Sequence, residues 1–65
     1  MWIKTDIGSL VNVGAMDYIE YSTQSDVTKA YHGDEVFVIA KGNITAQIFA
    51  NLRMGKPTME VFGDE

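Results

Sequence analysis

One stretch in the middle of the chain most constrains what it can fold into. Residues 36–40 form an unbroken apolar run, Val-Phe-Val-Ile-Ala, which Lys41 and Gly42 end. Such a run predicts a buried strand, which we expect to be central in its sheet with a helix over one face. Apolar residues then recur at helical spacing, at Ile44, Ile48, Phe49 and Leu52. The spacing predicts an amphipathic helix over about 44–54 whose four apolar residues all face the core.

Both ends of this helix carry recognisable signals. Asn43 suits the N-cap, because its side-chain oxygen can accept a hydrogen bond from an otherwise unpaired backbone N–H. Thr45 is the rival cap. Gly55 and Pro57 end the pattern, since glycine favours the position after a helix and proline cannot continue one.

The rest of the chain alternates between apolar and polar residues, as strands do. We expect strands over 2–5, 10–13, 18–23, 27–32 and 58–62. Gly8 lies in the turn of a first hairpin, and Gly33 suits a type II′ turn of another. Residues 27–32 mix apolar and polar side chains on both faces, which favours an edge position. The sequence therefore predicts one α+β domain over residues 1–65, with an antiparallel sheet of four to six strands and one helix on one face.

The size of the chain limits how much stability its own core can supply. A domain of 65 residues without cysteine has no disulfide to reinforce a core worth about 3–5 kcal/mol. Its hydrophobic content is 46%, which leaves apolar surface for self-association. We therefore predict a homo-oligomer, with a dimer as the simplest case.

The last strand is the best candidate for the contact between copies. It is nearly uncharged, follows a proline, and offers an edge with free backbone groups. In that strand we expect Met59 and Val61 to face the core and Phe62 to point away. Trp2 is a natural aromatic anchor near the other end of the chain. The predicted interface residues are Trp2, Met59, Val61 and Phe62.

Few residues suggest chemistry. His32 lies near Asp34 and Glu35. This group of three polar residues suits the tip of a hairpin better than a metal site or a proton-transfer site. Asp17 and Glu20 are close in sequence but show no sign of converging in a cleft. The six glycines are scattered and form no phosphate-binding loop. We predict no catalytic residues, no metal site and no cofactor, and we do not expect an enzyme.

Charge separates the remaining function classes. The net charge of −4 argues against a nucleic-acid backbone, which needs many lysines and arginines. It also argues against an anionic membrane, and the longest apolar run is too short to span a bilayer. No basic segment leads into an apolar one at the start of the chain, so we expect a cytoplasmic protein. Aromatic residues on a sheet face beside Lys4 and Lys29 offer the alternative of base stacking.

The opening residues carry a resemblance. Trp2-Ile3-Lys4-Thr5, then Gly8, Leu10-Val11-Asn12 and Ile19 are similar to the start of a group of small uncharacterised bacterial and phage proteins. The resemblance covers about the first twenty residues and implies a bacterial or mobile-element origin and an α+β fold. The chain then departs from that group, because its helix is not acid-rich and a strand follows Pro57.

Taken together, these features favour a non-enzymatic interaction module that acts through self-association or through a protein partner. The alternative is a small nucleic-acid-binding regulatory protein of a phage or mobile element. The distribution of the five cations separates the two, since a nucleic-acid binder gathers them on one face.

Overall fold

The computed structural model describes residues 1–62 and shows an α+β fold. Its elements are β1 (Trp2–Lys4), β2 (Leu10–Asn12), a 3-10 turn (Val13–Ala15), β3 (Tyr18–Ser22), β4 (Val27–His32), β5 (Glu35–Lys41), α1 (Thr45–Arg53) and β6 (Thr58–Glu60). The strands form two sheets of three, in the orders β2-β1-β6 and β3-β4-β5. The predicted α+β class is confirmed.

The prediction of one sheet of four to six strands is wrong, and the 3-10 turn explains the difference. The side chain of Asn12 accepts a hydrogen bond from the Gly14 N–H at 3.1 Å, and the Met16 N–H donates to the Val13 carbonyl at 3.1 Å. These bonds satisfy backbone groups that would otherwise continue a strand ladder. The chain therefore turns away after β2, and β3 begins a second sheet.

The last strand also differs from the prediction of a wholly antiparallel sheet. β6 pairs with β1 in parallel, with Trp2 opposite Thr58 and Lys4 opposite Glu60. Parallel neighbours require a crossover connection. Helix α1 lies in the segment that leads from β5 to β6. β6 is an edge strand of the first sheet.

The two predicted hairpin turns are present. In the first, Ile3 pairs with Val11, and Gly8 has a φ of +88°. In the second, His32 pairs with Glu35, and only Gly33 of the two turn residues has a positive φ, +58°. A type II′ turn needs positive φ at its first central residue alone, which is the conformation that glycine adopts without strain.

The order of β3, β4 and β5 reverses the expected positions of two strands. β4 was expected at an edge and is central, whereas β5 was expected to be central and lies at an edge. One side of the sheet is open to solvent, so a central strand can alternate. Thr28 and Ala30 are buried on the inner side, while Lys29 lies on the other.

A bulge in β5 joins the two sheets. Thr28 pairs with Ala40 and Lys29 with Val38, so Ile39 is an extra residue in β5. The Ile39 carbonyl accepts a hydrogen bond from the Asp6 N–H at 3.3 Å, and the Lys41 N–H donates to the Asp6 carboxylate at 3.1 Å. A bulge exposes backbone groups that the ladder no longer uses. In this chain the freed backbone groups of Ile39 and Lys41 bind Asp6, which lies in the turn between β1 and β2.

The core lies between the two sheets and the helix. Its buried apolar residues are Ile3, Val11, Ala30, Ile39, Ala40 and Ile48. Buried Thr28 completes it, because its hydroxyl donates to the Gly42 carbonyl at 2.7 Å and accepts from the Ile44 N–H at 3.1 Å. This hydroxyl therefore ties the central strand to the segment that leads into α1.

Helix α1 corrects the predicted cap and confirms only half of the predicted core face. The N-cap position is Ile44, which makes no side-chain cap bond, and Asn43 lies one residue earlier. The Asn43 side-chain oxygen accepts a hydrogen bond from the Thr45 N–H at 3.1 Å. Ile48 is 2% exposed and Ile44 is partly buried, but Phe49 is 62% exposed and Leu52 is also exposed. The prediction that these last two residues are buried is wrong. Adjacent helical residues point about 100° apart, so Phe49 points sideways when Ile48 points into the core.

Candidate functional site

The structure places the four predicted interface residues on different sides of the first sheet. Trp2 and Phe62 are exposed, Phe62 to 81%. Met59 and Val61 are partly buried and pack against the core. Trp2 and Met59 therefore do not share one surface. A partner can contact the exposed side chains of Trp2 and Phe62 directly. The interface remains a prediction.

Trp2 belongs to a small apolar surface on the outside of the first sheet. It lines a shallow groove of about 170 Å³ together with Leu10, Val11, Asn12, Met16 and Phe37. Leu10 is also exposed. The groove lies where the two sheets meet, which is why residues distant in sequence line it.

A larger groove lies between helix α1 and the segment that runs from the 3-10 turn into β3. Its volume is about 330 Å³, and its lining is mostly apolar: Val13, Met16, Asp17, Tyr18, Ile19, Thr45, Ile48, Phe49 and Leu52. Phe49 and Leu52, which the sequence pattern placed in the core, form one wall. Their apolar surface is left available to solvent or to a partner.

The outer side of the β3-β4-β5 sheet is a third surface. The strand registers bring nine side chains to that side, which we call the outer face: Tyr18, Glu20, Ser22, Val27, Lys29, Tyr31, Val36, Val38 and Lys41. The rings of Tyr18 and Tyr31 stack with centroids 4.4 Å apart and planes inclined by 10°. Val36 and Val38 lie about half exposed on the adjacent strand. The alternation of residues in β3 predicted that Tyr18 and Glu20 lie on the same side of the strand. The pairing of Tyr18 with Tyr31 depends on the register between β3 and β4, which the alternation does not determine.

Hydrogen bonds hold two tyrosine hydroxyls in their protonated form. The Tyr31 hydroxyl donates to the Glu20 carboxylate at 3.2 Å. Desolvation raises the pKa of Tyr31 above its ordinary value, and the bond to Glu20 raises it further. The Tyr21 hydroxyl donates to Asp26 at 2.6 Å, and this bond is the main reason that the pKa of Tyr21 is raised. Tyrosine is already protonated at neutral pH, so the raised pKa values extend the protonated form further into the alkaline range.

The polar cluster around His32 forms the tip of the β4–β5 hairpin. His32, Asp34 and Glu35 are all exposed there. Asp17 reaches the same tip and accepts a hydrogen bond from the Gly33 N–H at 2.8 Å. Within residues 1–62, no three histidine, aspartate or glutamate side chains are grouped closely enough to hold a metal ion. The bond from the Gly33 N–H indicates that Asp17 stabilises the turn between β4 and β5.

The cations lie on different elements. Lys4 forms an ion pair with Glu60 across β1 and β6, at 3.6 Å. Arg53 lies over the ring of Phe49 on the helix, 5.7 Å from its centre. Lys29 lies on the outer face opposite Glu20. These three cations therefore lie on three different elements, β1, α1 and β4.

Comparison with known proteins adds no assignment. No family model, curated protein or solved structure matches the chain significantly. In the part of the chain that the structure describes, no helix has the length and apolar character needed to cross a membrane.

Proposed function

We propose that this protein is a non-enzymatic interaction module that acts through self-association or through a protein partner. One observation carries the proposal: within residues 1–62, ten large apolar side chains are exposed, whereas the buried core contains six apolar residues. Scattered apolar residues are normal on any surface, but contiguous ones mark interaction sites. Seven of the ten gather in two grooves and on the outer face: Trp2, Leu10, Tyr18, Val36, Val38, Phe49 and Leu52.

The small size of the buried core supports association with a partner. A core of six residues, two of them alanine, leaves a small domain with little surplus stability. Covering exposed aromatic and aliphatic side chains on association adds the burial that the single chain lacks. The proposed interface includes Trp2 and Phe62, which a partner can reach, together with Met59 and Val61 at the edge strand β6. A bacterial or phage origin and a cytoplasmic location remain part of this proposal.

The mass of the particle in solution tests the self-association route. We expect light scattering to report more than the 7.2 kDa of one chain, with a mass that rises with concentration. A mass of one chain at about 500 μM would contradict self-association, since a Kd above that level is worth less than about 4.5 kcal/mol.

Substitutions locate the contact if the protein is oligomeric. Phe62→Lys and Trp2→Lys add charge at exposed positions of the predicted interface, so they lower the mass if the contact lies there. Ile7→Lys is the control for Phe62→Lys, because Ile7 is 80% exposed and Phe62 81%, and Ile7 lies outside that interface. An unchanged mass in both interface variants would show that another surface carries the contact.

A further inference from the structure

The outer face of the β3-β4-β5 sheet has the charge pattern of a surface that binds its own copy. Glu20 and Lys29 are directly opposite each other on β3 and β4. They nevertheless form no ion pair with each other, and the Glu20 carboxylate accepts a hydrogen bond from the Tyr31 hydroxyl. Within residues 1–62, the one ion pair is that of Lys4 with Glu60. The Lys29 ammonium is thus a charge without a partner in its own described chain.

Around these two charges the outer face is apolar and aromatic. Tyr18 and Tyr31 stack at one end, and Val36 and Val38 lie beside Tyr31 and Lys29 on the neighbouring strand. Glu20 and Lys29 lie at the centre of this face, and its second cation, Lys41, lies at the end of the edge strand β5. The outer face fits a partner that presents the same two central charges in the reverse order.

We propose that the outer face binds the outer face of a second copy of this chain, with Lys29 of each copy opposite Glu20 of the other. A two-fold axis that runs between β3 and β4, parallel to the strands, exchanges the positions of the two strands. It therefore places each lysine across from the partner's Glu20 and each Tyr18 across from the partner's Tyr31. Two-fold contacts use the same patch on both subunits, so a surface that carries both charges is complementary to itself.

The geometry also sets the strength of the contact. Two sheets pack face to face about 10 Å apart, a gap that lysine and glutamate side chains can bridge from opposite sides. With this axis only β3 and β4 face their copies, because β5 lies beyond the edge of the partner's β3. Two strands of about six residues cover roughly 200 Å², well below the ~800 Å² that each partner buries in a standard interface. The dimer is therefore weak and forms in the micromolar range or above.

This inference rests on the proposed self-association and is tested by exchanging charges. Sedimentation of Glu20→Lys and of Lys29→Glu should each show association weakened by about tenfold or more, because like charges then face each other twice. An equimolar mixture of the two variants should regain the wild-type association. In the mixed pair each lysine again faces a carboxylate.

Matched controls separate this pairing from general charge effects. Asp34→Lys and Lys56→Glu change the net charge by the same amounts at exposed positions outside the outer face. Each control should associate like the wild type, and their mixture should not exceed it. Circular dichroism of every variant confirms folding. If a charge reversal unfolds the chain, Glu20→Gln and Lys29→Gln replace it, and each should weaken association less than the reversals.

The outcomes distinguish the inference from the proposal beneath it. If the wild type dimerises and neither charge reversal weakens it, the outer face is not the interface, while self-association stands. If both reversals abolish dimers and the mixture stays monomeric, the pairing of Lys29 with Glu20 is wrong. If the wild type is monomeric at about 500 μM, both the inference and the self-association route fail.

Discussion

The two sides of the β3-β4-β5 sheet differ in how far their side chains are covered. The inner side buries Ala30 and Ala40 together with Thr28 and Ile39, each at most 1% exposed. The outer face leaves one tyrosine and two valines about half exposed. The inner side therefore forms the chain's own core, whereas the outer face is open in a single chain. We propose that a second copy covers it.

The largest expected effect compares adjacent residues of β5 on the two sides. Ile39→Ala should cost about 2–5 kcal/mol, because it empties a fully buried position in a small core. That loss is comparable to the whole stability of a domain this size. Val38→Ala, on the outer face, should cost less than about 1 kcal/mol at low protein concentration. Urea denaturation measures both, and equal losses would show that the outer face is packed within the single chain.

A buried hydroxyl on the inner side gives the next largest effect. Thr28→Val keeps the shape of the side chain but leaves the Gly42 carbonyl and the Ile44 N–H without their partner. We expect a loss of about 1–3 kcal/mol in the free energy of unfolding. Thr28→Ser keeps the hydroxyl and is the control. A Thr28→Val variant as stable as the wild type would mean that these backbone groups find other partners.

The bonds that Asn43 makes just before helix α1 are a smaller and more local test. Its side-chain oxygen accepts from the Thr45 N–H at 3.1 Å and from the Thr45 hydroxyl at 2.7 Å. Asn43→Ala removes both bonds and should lower the stability by about 0.5–1.5 kcal/mol. Thermal denaturation measures the loss, and an Asn43→Ala variant as stable as the wild type would show that these bonds do not support the start of the helix.

Alkaline pH should give the smallest effect, on the outer face itself. The pKa of Tyr31 is raised above 10.0 in the folded chain, first by desolvation and then by Glu20. The unfolded chain therefore releases this proton first, so the stability is full below about pH 10 and falls as the pH rises toward the folded-state pKa. Urea midpoints at about pH 9 and about pH 11 measure the fall. Tyr31→Phe should show a smaller fall, and an equal one would assign the effect to other groups.

Local signals in the sequence predicted local structure well. The glycine turns at Gly8 and Gly33 and the helix after Asn43 are present, although the N-cap position is Ile44 and not Asn43. Each depends on bonds or dihedral angles within a few residues, so the residues themselves carry the information.

Long-range arrangement could not be predicted in the same way. The division into two sheets, the parallel pairing of β6 with β1 and the central position of β4 depend on contacts between distant residues. The apolar run at 36–40 suggested a central strand, yet Val36 and Val38 face outward from an edge strand. A short apolar run signals contact with apolar surface but not whether that surface belongs to the same chain.

The candidate surfaces show the same limit. Trp2 and Phe62 were identified from their types and positions in the chain, and both are exposed. The outer face was missed because its central pair, Glu20 and Lys29, is set by strand register. Register follows from turn geometry and from which face is buried, neither of which a single pattern fixes.

One measurement tests the central claim, that the outer face is open in one chain and covered by a second. A carbodiimide links a carboxylate to an amine only where the two are in contact, and a mixture of unlabelled and isotope-labelled chains separates links between copies from links within one. At concentrations where dimers form, we expect mass spectrometry to find Glu20–Lys29 links that join a labelled to an unlabelled peptide. Links confined to peptides of the same label would contradict the account.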